Sequence, residues 1–187
     1  INATNLNGLE VEAKGTVKIT QLIEPQQIYR TALLPNPDVK TIEASKYHSL
    51  FPFDEYDREN SIEKLKKGKT VISTTFDTKN SQTLSIIANK LNSGRYILEA
   101  ETVDEFGTKV IDIKYFTVYD KTSKTIPTKE TWWTTNLKLS GEPGEKAAFI
   151  IGTAEKELFV NYEIEHQGKI VYSELLTLQN EQRLIEI

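Results

Sequence analysis

Short alternating runs of apolar and polar residues mark most of the chain. Thr, Val, Ile and Tyr recur in these runs, and such side chains suit a half-buried pleated surface. Gly15 to Ile23 reads as a strand with Val17, Ile19 and Gln21 on one face. Asn5-Leu6-Asn7-Gly8 ahead of it is a turn signal, because Asn and Gly tolerate positive φ. Thr70 to Phe76 is a second strand. The clearest unit is a hairpin. Arg95 to Val103 carries Tyr96, Leu98, Ala100 and Thr102 on one face, Asp104-Glu105-Phe106-Gly107 turns, and Thr108 to Tyr119 returns. On the return, Val110 is out of phase with Ile111, Ile113, Tyr115, Thr117 and Tyr119, which predicts a bulge there or the start of the buried face. Gln82 to Leu91 mixes helical spacing with alternation and is read as a short strand running into a turn at Asn92-Ser93-Gly94.

The pattern breaks between Glu24 and Lys69. This stretch holds Pro25, Pro35, Pro37 and Pro52 and is too long for an ordinary connection. Ile42 to Leu50 within it predicts a short helix. A packed excursion over a sheet edge is favoured here over a binding loop. Asp120 to Glu130 is polar with one Pro, as expected of a linker. A second β unit follows, with strands at Trp133 to Leu139, Lys146 to Gly152, Leu158 to His166, Lys169 to Leu178 and Arg183 to Ile187. Strands at this spacing, with turn signals between, suit a β-sandwich. The fold expected is therefore all-β. Residues 1–120 form one sandwich with an irregular insertion at 24–69 and one short helix, 121–130 link, and 131–187 form a second sandwich. Five strands without a closing partner leave an open edge, which reads as truncation at the C-terminus.

Composition narrows the chemistry. The 187 residues contain no Cys, no Met and two His. Thiolate metal sites, disulfides and a cysteine nucleophile are excluded within them. A net charge of −4 argues against a nucleic-acid surface. No apolar run reaches the ~18 residues that span a bilayer. Ile1-Asn2-Ala3-Thr4 is neither a translation start nor a signal peptide, and Arg183 to Ile187 stops inside a strand pattern, so both ends read as cuts in a longer chain.

Candidate sites are few. Asp54, Glu55, Asp57 and Glu59 form the densest carboxylate set, but they lack the spacing of a calcium loop and read as a solvated loop. His48 and His166 read as ordinary boundary residues, and no nucleophile elbow or phosphate loop occurs. No catalytic, metal or cofactor residue is assigned, and no cofactor is expected. Trp132 and Trp133 are the one aromatic pair. Adjacent strand residues face opposite ways, so one is read as core and the other as sealing a junction between domains or stacking on a ligand.

The order of these signals resembles bacterial alpha-2-macroglobulin-like proteins, long chains of macroglobulin-type β-sandwich domains. The resembling segments are Asn5-Leu6-Asn7-Gly8-Leu9-Glu10-Val11 with Lys14-Gly15-Thr16-Val17-Lys18-Ile19, then Ser93-Gly94-Arg95-Tyr96, Asp104-Glu105-Phe106-Gly107 and Lys114-Tyr115-Phe116-Thr117-Val118-Tyr119. In the second unit they are Glu142-Pro143-Gly144-Glu145 and Val160-Asn161-Tyr162-Glu163-Ile164-Glu165-His166-Gln167-Gly168-Lys169. The resemblance implies a non-enzymatic scaffold from a protease-trapping protein of the periplasm or cell envelope. Its partners would be neighbouring domains and, through the whole protein, proteases. The family's Cys–Gln thioester cannot lie here, since there is no Cys, and no active residue carries over. An immunoglobulin-like adhesin or carbohydrate-binding module is the alternative, and a β-sandwich hydrolase with converging carboxylates is a third.

Overall fold

The computed structural model describes residues 1–30, 35, 37–86, 91–142 and 144–187. It is mostly β, with three antiparallel sheets and one short helix among the described residues. The chain divides into two compact units: 1–23 with 65–118, and 24–64 with 119–187. The sequence reading treated the stretch from Glu24 as an insertion in the first unit. In the structure residues 24–64 cluster with the second.

The first unit is a four-stranded sheet. Its strands are β1 (Lys14–Ile23), β2 (Lys66–Asp77), β3 (Gly94–Val103) and β4 (Lys109–Val118), in the order β2-β1-β3-β4. The two central strands hold the core: Val17, Ile19 and Leu22 of β1 and Tyr96 and Ile97 of β3 are all buried. Register places Val17, Ile19, Leu98, Ala100, Val110, Asp112 and Phe76 on one face. Tyr96 stacks on Phe116 of β4 with centroids 5.6 Å apart, and its hydroxyl donates to the Asn92 carbonyl at 2.9 Å. Gly15 is required where it stands. A Cβ there would sit 2.0 Å from the Glu101 carbonyl oxygen and 2.7 Å from the Phe76 ring.

Three sequence expectations change in this unit. No bulge lies at Val110/Ile111, since the β3–β4 register runs unbroken through Thr102↔Val110 and Glu101↔Ile111. The bulges fall on β1–β2, at Ile19/Thr20 and Thr20/Leu22. The Ile111 face is open, with Ile111 46% and Ile113 42% exposed. The reason is position: β4 is an edge strand, and Val110 on its other face is 48% exposed as well. Residues 82–86 are not a strand. Their backbone bonds go locally, as in the Thr83 N–H to Ser81 Oγ contact at 3.1 Å, and to the terminal Ile1 ammonium, which donates to the Gln82 carbonyl. The rest of that expected strand, 87–90, lies outside the described residues.

The second unit contains β5 (Trp133–Lys138), β6 (Ala148–Thr153), β7 (Leu158–His166), β8 (Lys169–Leu178) and β9 (Glu181–Glu186). One sheet has the order β5-β6-β9 and the other is the ribbon β7-β8. They share a core. Ile151, Leu176 and Leu178 are buried together, with Phe149, Val160, Tyr162 and Ile185 packed against them. The β7–β8 turn uses Gln167 and Gly168, both at positive φ, and Asn180 serves the β8–β9 turn the same way. Residues 120–124 are tied to β9. The Gln182 backbone N–H donates to the Lys124 carbonyl at 2.8 Å. Its side-chain amide donates to the carbonyls of Asp120 at 2.7 Å and Ser123 at 2.8 Å. A polar stretch with little apolar content is thus held by its own carbonyls, and it shields that part of the β9 edge.

The 24–64 segment carries the expected short helix, α1 (Ala44–Leu50). The helix buries no residue of its own. Its aromatic side chains do the packing instead, with Tyr47 5.2 Å from Phe51 and 5.3 Å from Tyr56, centroid to centroid. Glu24 accepts the Lys129 backbone N–H at 3.0 Å, and the Lys129 ammonium donates to the Gln26 carbonyl.

Candidate functional site

Trp132 and Trp133 differ sharply in burial. Trp133 opens β5, is buried, and meets the Tyr119 ring edge-on at 5.5 Å. Trp132 is 45% exposed. The ring contact of Trp133 is made within its own unit. Trp133→Ala should therefore cost the second unit about 3 kcal/mol, by the usual range for removing a buried aromatic. Urea unfolding followed by circular dichroism reads that loss, while Trp132→Ala should move the midpoint little.

The acidic stretch is internally neutralised. Arg30 clamps Asp54 from two nitrogens, Nε at 2.8 Å and a terminal nitrogen at 2.7 Å. Asp57 sits between Lys40 at 3.2 Å and Lys64 at 3.0 Å. Those two ammonium groups hold its carboxyl below the ordinary carboxylate range, Lys64 most. Glu59 accepts the backbone N–H groups of Tyr56 and Asp57 and lies 3.4 Å from His48 Nε2. Glu55 accepts the Asn60 N–H at 2.7 Å. Lys40 also lies over the Tyr56 ring, 4.0 Å from its centroid. Each carboxylate is spent on a local partner, so the stretch works as a fold-stabilising knot. Among the described residues no three His, Cys, Asp or Glu groups converge as a metal site would require. His166 is exposed at the tip of the β7–β8 ribbon.

One constellation escaped the sequence reading. Tyr162 and Tyr172 both donate to Glu174 Oε2, at 2.8 and 2.5 Å, with ring centroids 5.6 Å apart. These bonds hold the Glu174 carboxyl below its ordinary range, Tyr172 contributing most. They raise the Tyr162 phenol, through the hydrogen bond with Tyr172 first and then Glu174. The Gln167-Gly168 turn pairs His166 with Lys169, but it is a bulge between Ile164 and Glu165 that shifts the register and brings Tyr162 opposite Glu174, and the alternation carried no signal of that bulge. Glu174→Gln removes the second of these causes and should lower the Tyr162 phenol part of the way toward the ~10 of an ordinary phenol. A pH titration of ¹³C-labelled tyrosine rings measures that change.

Glu181 supplies an acid-sensitive lock on β9. Desolvation alone would raise its carboxyl, but Arg183 and then Lys124 outweigh burial and hold it below the ordinary value. Arg183 reaches Glu181 Oε1 at 2.6 Å and the Thr177 carbonyl at 2.9 Å. A carboxyl with a lowered folded-state pKa stabilises the fold above its unfolded value, and that stability is lost as pH falls through the folded one. Urea midpoints should stay level down to about pH 5 and fall below about pH 4. Arg183→Gln should flatten that acid limb.

A broad concavity lies in the first unit, over the Val17 face of the sheet. It is a cleft of about 1370 Å³. Val17, Leu98, Ala100 and Phe76 form its floor, and residues 1–7 and 82–86 form its walls. Two turns stand at its mouth. In one, Asn5 Oδ1 accepts the N–H groups of Asn7 and Leu9, both at 3.0 Å. In the other, Asp104 Oδ1 accepts those of Phe106 at 2.9 Å and Thr108 at 2.7 Å. These bonds fix turns that present Leu6 and Phe106, both highly exposed, to solvent. The sequence marked both turns but could not show that one cleft lies between them.

No protein-family model matches the chain, and neither a curated protein nor a solved structure is significantly similar to it.

Proposed function

We propose that these residues are a non-enzymatic scaffold portion of an alpha-2-macroglobulin-like protein, contributing macroglobulin-type β domains to protease trapping at the bacterial envelope; the second unit supports the sandwich part of this reading, whereas the first is a single sheet. The observation that carries this reading is the second unit's architecture. Two antiparallel sheets pack around one apolar core of Ile151, Leu176 and Leu178, the layer arrangement of a sandwich. Two of the segments behind the resemblance contain hairpin turns, which is compatible with this reading. Asp104–Gly107 is the β3–β4 turn and Gln167-Gly168 the β7–β8 turn. Asp54, Glu55, Asp57 and Glu59 are committed to lysine, arginine and backbone partners, which suits a structural role. The test uses the whole polypeptide that the parent gene encodes. Incubated with active trypsin, it should retain the protease on size exclusion and change its sedimentation after cleavage. Degradation as an ordinary substrate, with no retained protease, overturns the reading.

The exposed ring of Trp132 favours a second reading, an immunoglobulin-like adhesin or carbohydrate-binding module. Glycan-array binding that is lost in Trp132→Ala would put that reading in place of the first.

A further inference from the structure

We propose that the cleft of the first unit docks a basic amphipathic segment of a partner protein, with large apolar side chains entering the floor and flanking Lys or Arg meeting the rim. This goes beyond the scaffold reading and does not depend on it. A sheet face normally buries its apolar residues under a second layer. Here Leu98 and Ala100 stay only half-buried beside the buried Val17, and all three line the cleft. Single exposed apolar residues are ordinary. Leu6 and Phe106 differ because both line the same cleft, together with Val103 and Val110, which are themselves exposed. Both stand on turns already fixed by side-chain-to-backbone bonds, so seating a ligand costs little ordering entropy there.

Charge selects the occupant. Among the described residues the charged groups lining the cleft are the carboxylates of Glu12, Asp104, Glu105 and Asp112 and one cation, the Ile1 ammonium, which is engaged with the Gln82 carbonyl; no Lys or Arg side chain lines it there. Lys79 offsets Glu12 at 3.2 Å, and Lys114 lies 4.0 Å from Asp112. An acidic rim around an apolar floor attracts a cationic amphipathic partner. It repels an anionic lipid surface. It also disfavours a second copy of the chain, which would set one acidic rim against another.

The 187-residue chain can be titrated with a fluorescein-labelled peptide alternating Leu and Lys, beside a Leu/Glu peptide of equal length. The Leu/Lys peptide should bind more tightly by at least about tenfold and weaken as salt is added. The methyl signals of Val17, Leu98 and Ala100 should shift on binding. Leu6→Ser with Phe106→Ser should weaken binding about tenfold. Glu105→Gln with Asp112→Asn should weaken it and reduce the salt dependence. Phe159→Ser with Leu175→Ser, on the β7–β8 ribbon, should leave it unchanged. If a variant fails to fold, the methyl map of the unaltered chain decides alone. Four results overturn the proposal: equal binding of the two peptides, methyl shifts confined to the second unit, dimerisation abolished by the Leu6 and Phe106 changes, or tighter binding to phosphatidylcholine vesicles than to the Leu/Lys peptide.

Discussion

Gly15→Ala should destabilise the first unit by about 3 kcal/mol, at the upper end of what overpacking costs. The added methyl would lie 2.0 Å from the Glu101 carbonyl oxygen, which is backbone and cannot swing aside. The strand must retreat instead. Retreat strains the pairing of Thr16 with Glu101 and the bond from Thr102 Oγ1 to the Lys14 carbonyl at 2.7 Å. Hydrogen exchange should show faster amides at the β1–β3 end, and thermal unfolding should shift downward. Phe76 supplies the control. Its ring is the other close neighbour of Gly15, at 2.7 Å. If the ring set the cost, adding Phe76→Leu would restore stability. With the backbone oxygen setting it, Gly15→Ala with Phe76→Leu stays as unstable as Gly15→Ala or becomes worse. A loss under about 1 kcal/mol would show that the strands part more easily than this geometry allows.

Leu178→Ala should cost the second unit about 3 to 5 kcal/mol, the range for emptying a fully buried leucine site. Leu178 is fully buried in the core shared by the two sheets. The neighbouring strands are joined at both ends of β8 by tight turns, so the site collapses poorly around a void. Leu175→Ala is the matched comparison. It lies on the same strand but faces outward at 68% exposure, and its loss should stay within about 0.5 kcal/mol. Urea unfolding followed by tryptophan fluorescence suits both, since Trp133 is buried in this unit. Equal costs for the two would mean that the ribbon does not pack on β6 and β9 as described.

The hairpins were legible in the chain because their signals are local. Tyr96, Leu98, Ala100 and Thr102 alternate on β3, and Asp104 closes the turn with its own side chain. Gln167-Gly168 and the runs beside it fixed β7 and β8 to the residue. The start of β2 was missed because Lys66, Lys67, Gly68 and Lys69 look like a loop. They hold as a strand because bulges on β1 accommodate Gly68 beside the Gln21 carbonyl. The open face of β4 was misread because alternation tells which residues share a face but not which face is covered. The cleft was illegible for the same reason, since its floor and walls come from five separate stretches. The partnership of residues 24–64 with 119–187 was hidden too. It rests on bonds such as Glu24 with the Lys129 N–H, 105 residues apart, which no local pattern encodes.

That discontinuity dictates an order of events during synthesis. The first unit has all of its strands once Val118 has left the ribosome. Residues 24–64 emerge earlier, yet their unit needs β9 and Gln182, which are made only after the first unit's last strand. At ~5–20 residues per second, the excursion waits several seconds for its partners. The Tyr47, Phe51 and Tyr56 cluster, with Lys40 over Tyr56 and Arg30 on Asp54, lets it fold onto itself meanwhile. A nascent chain stalled shortly after Val118 should therefore keep those aromatics from chaperone capture, and a Tyr56→Ala chain stalled at the same point should not.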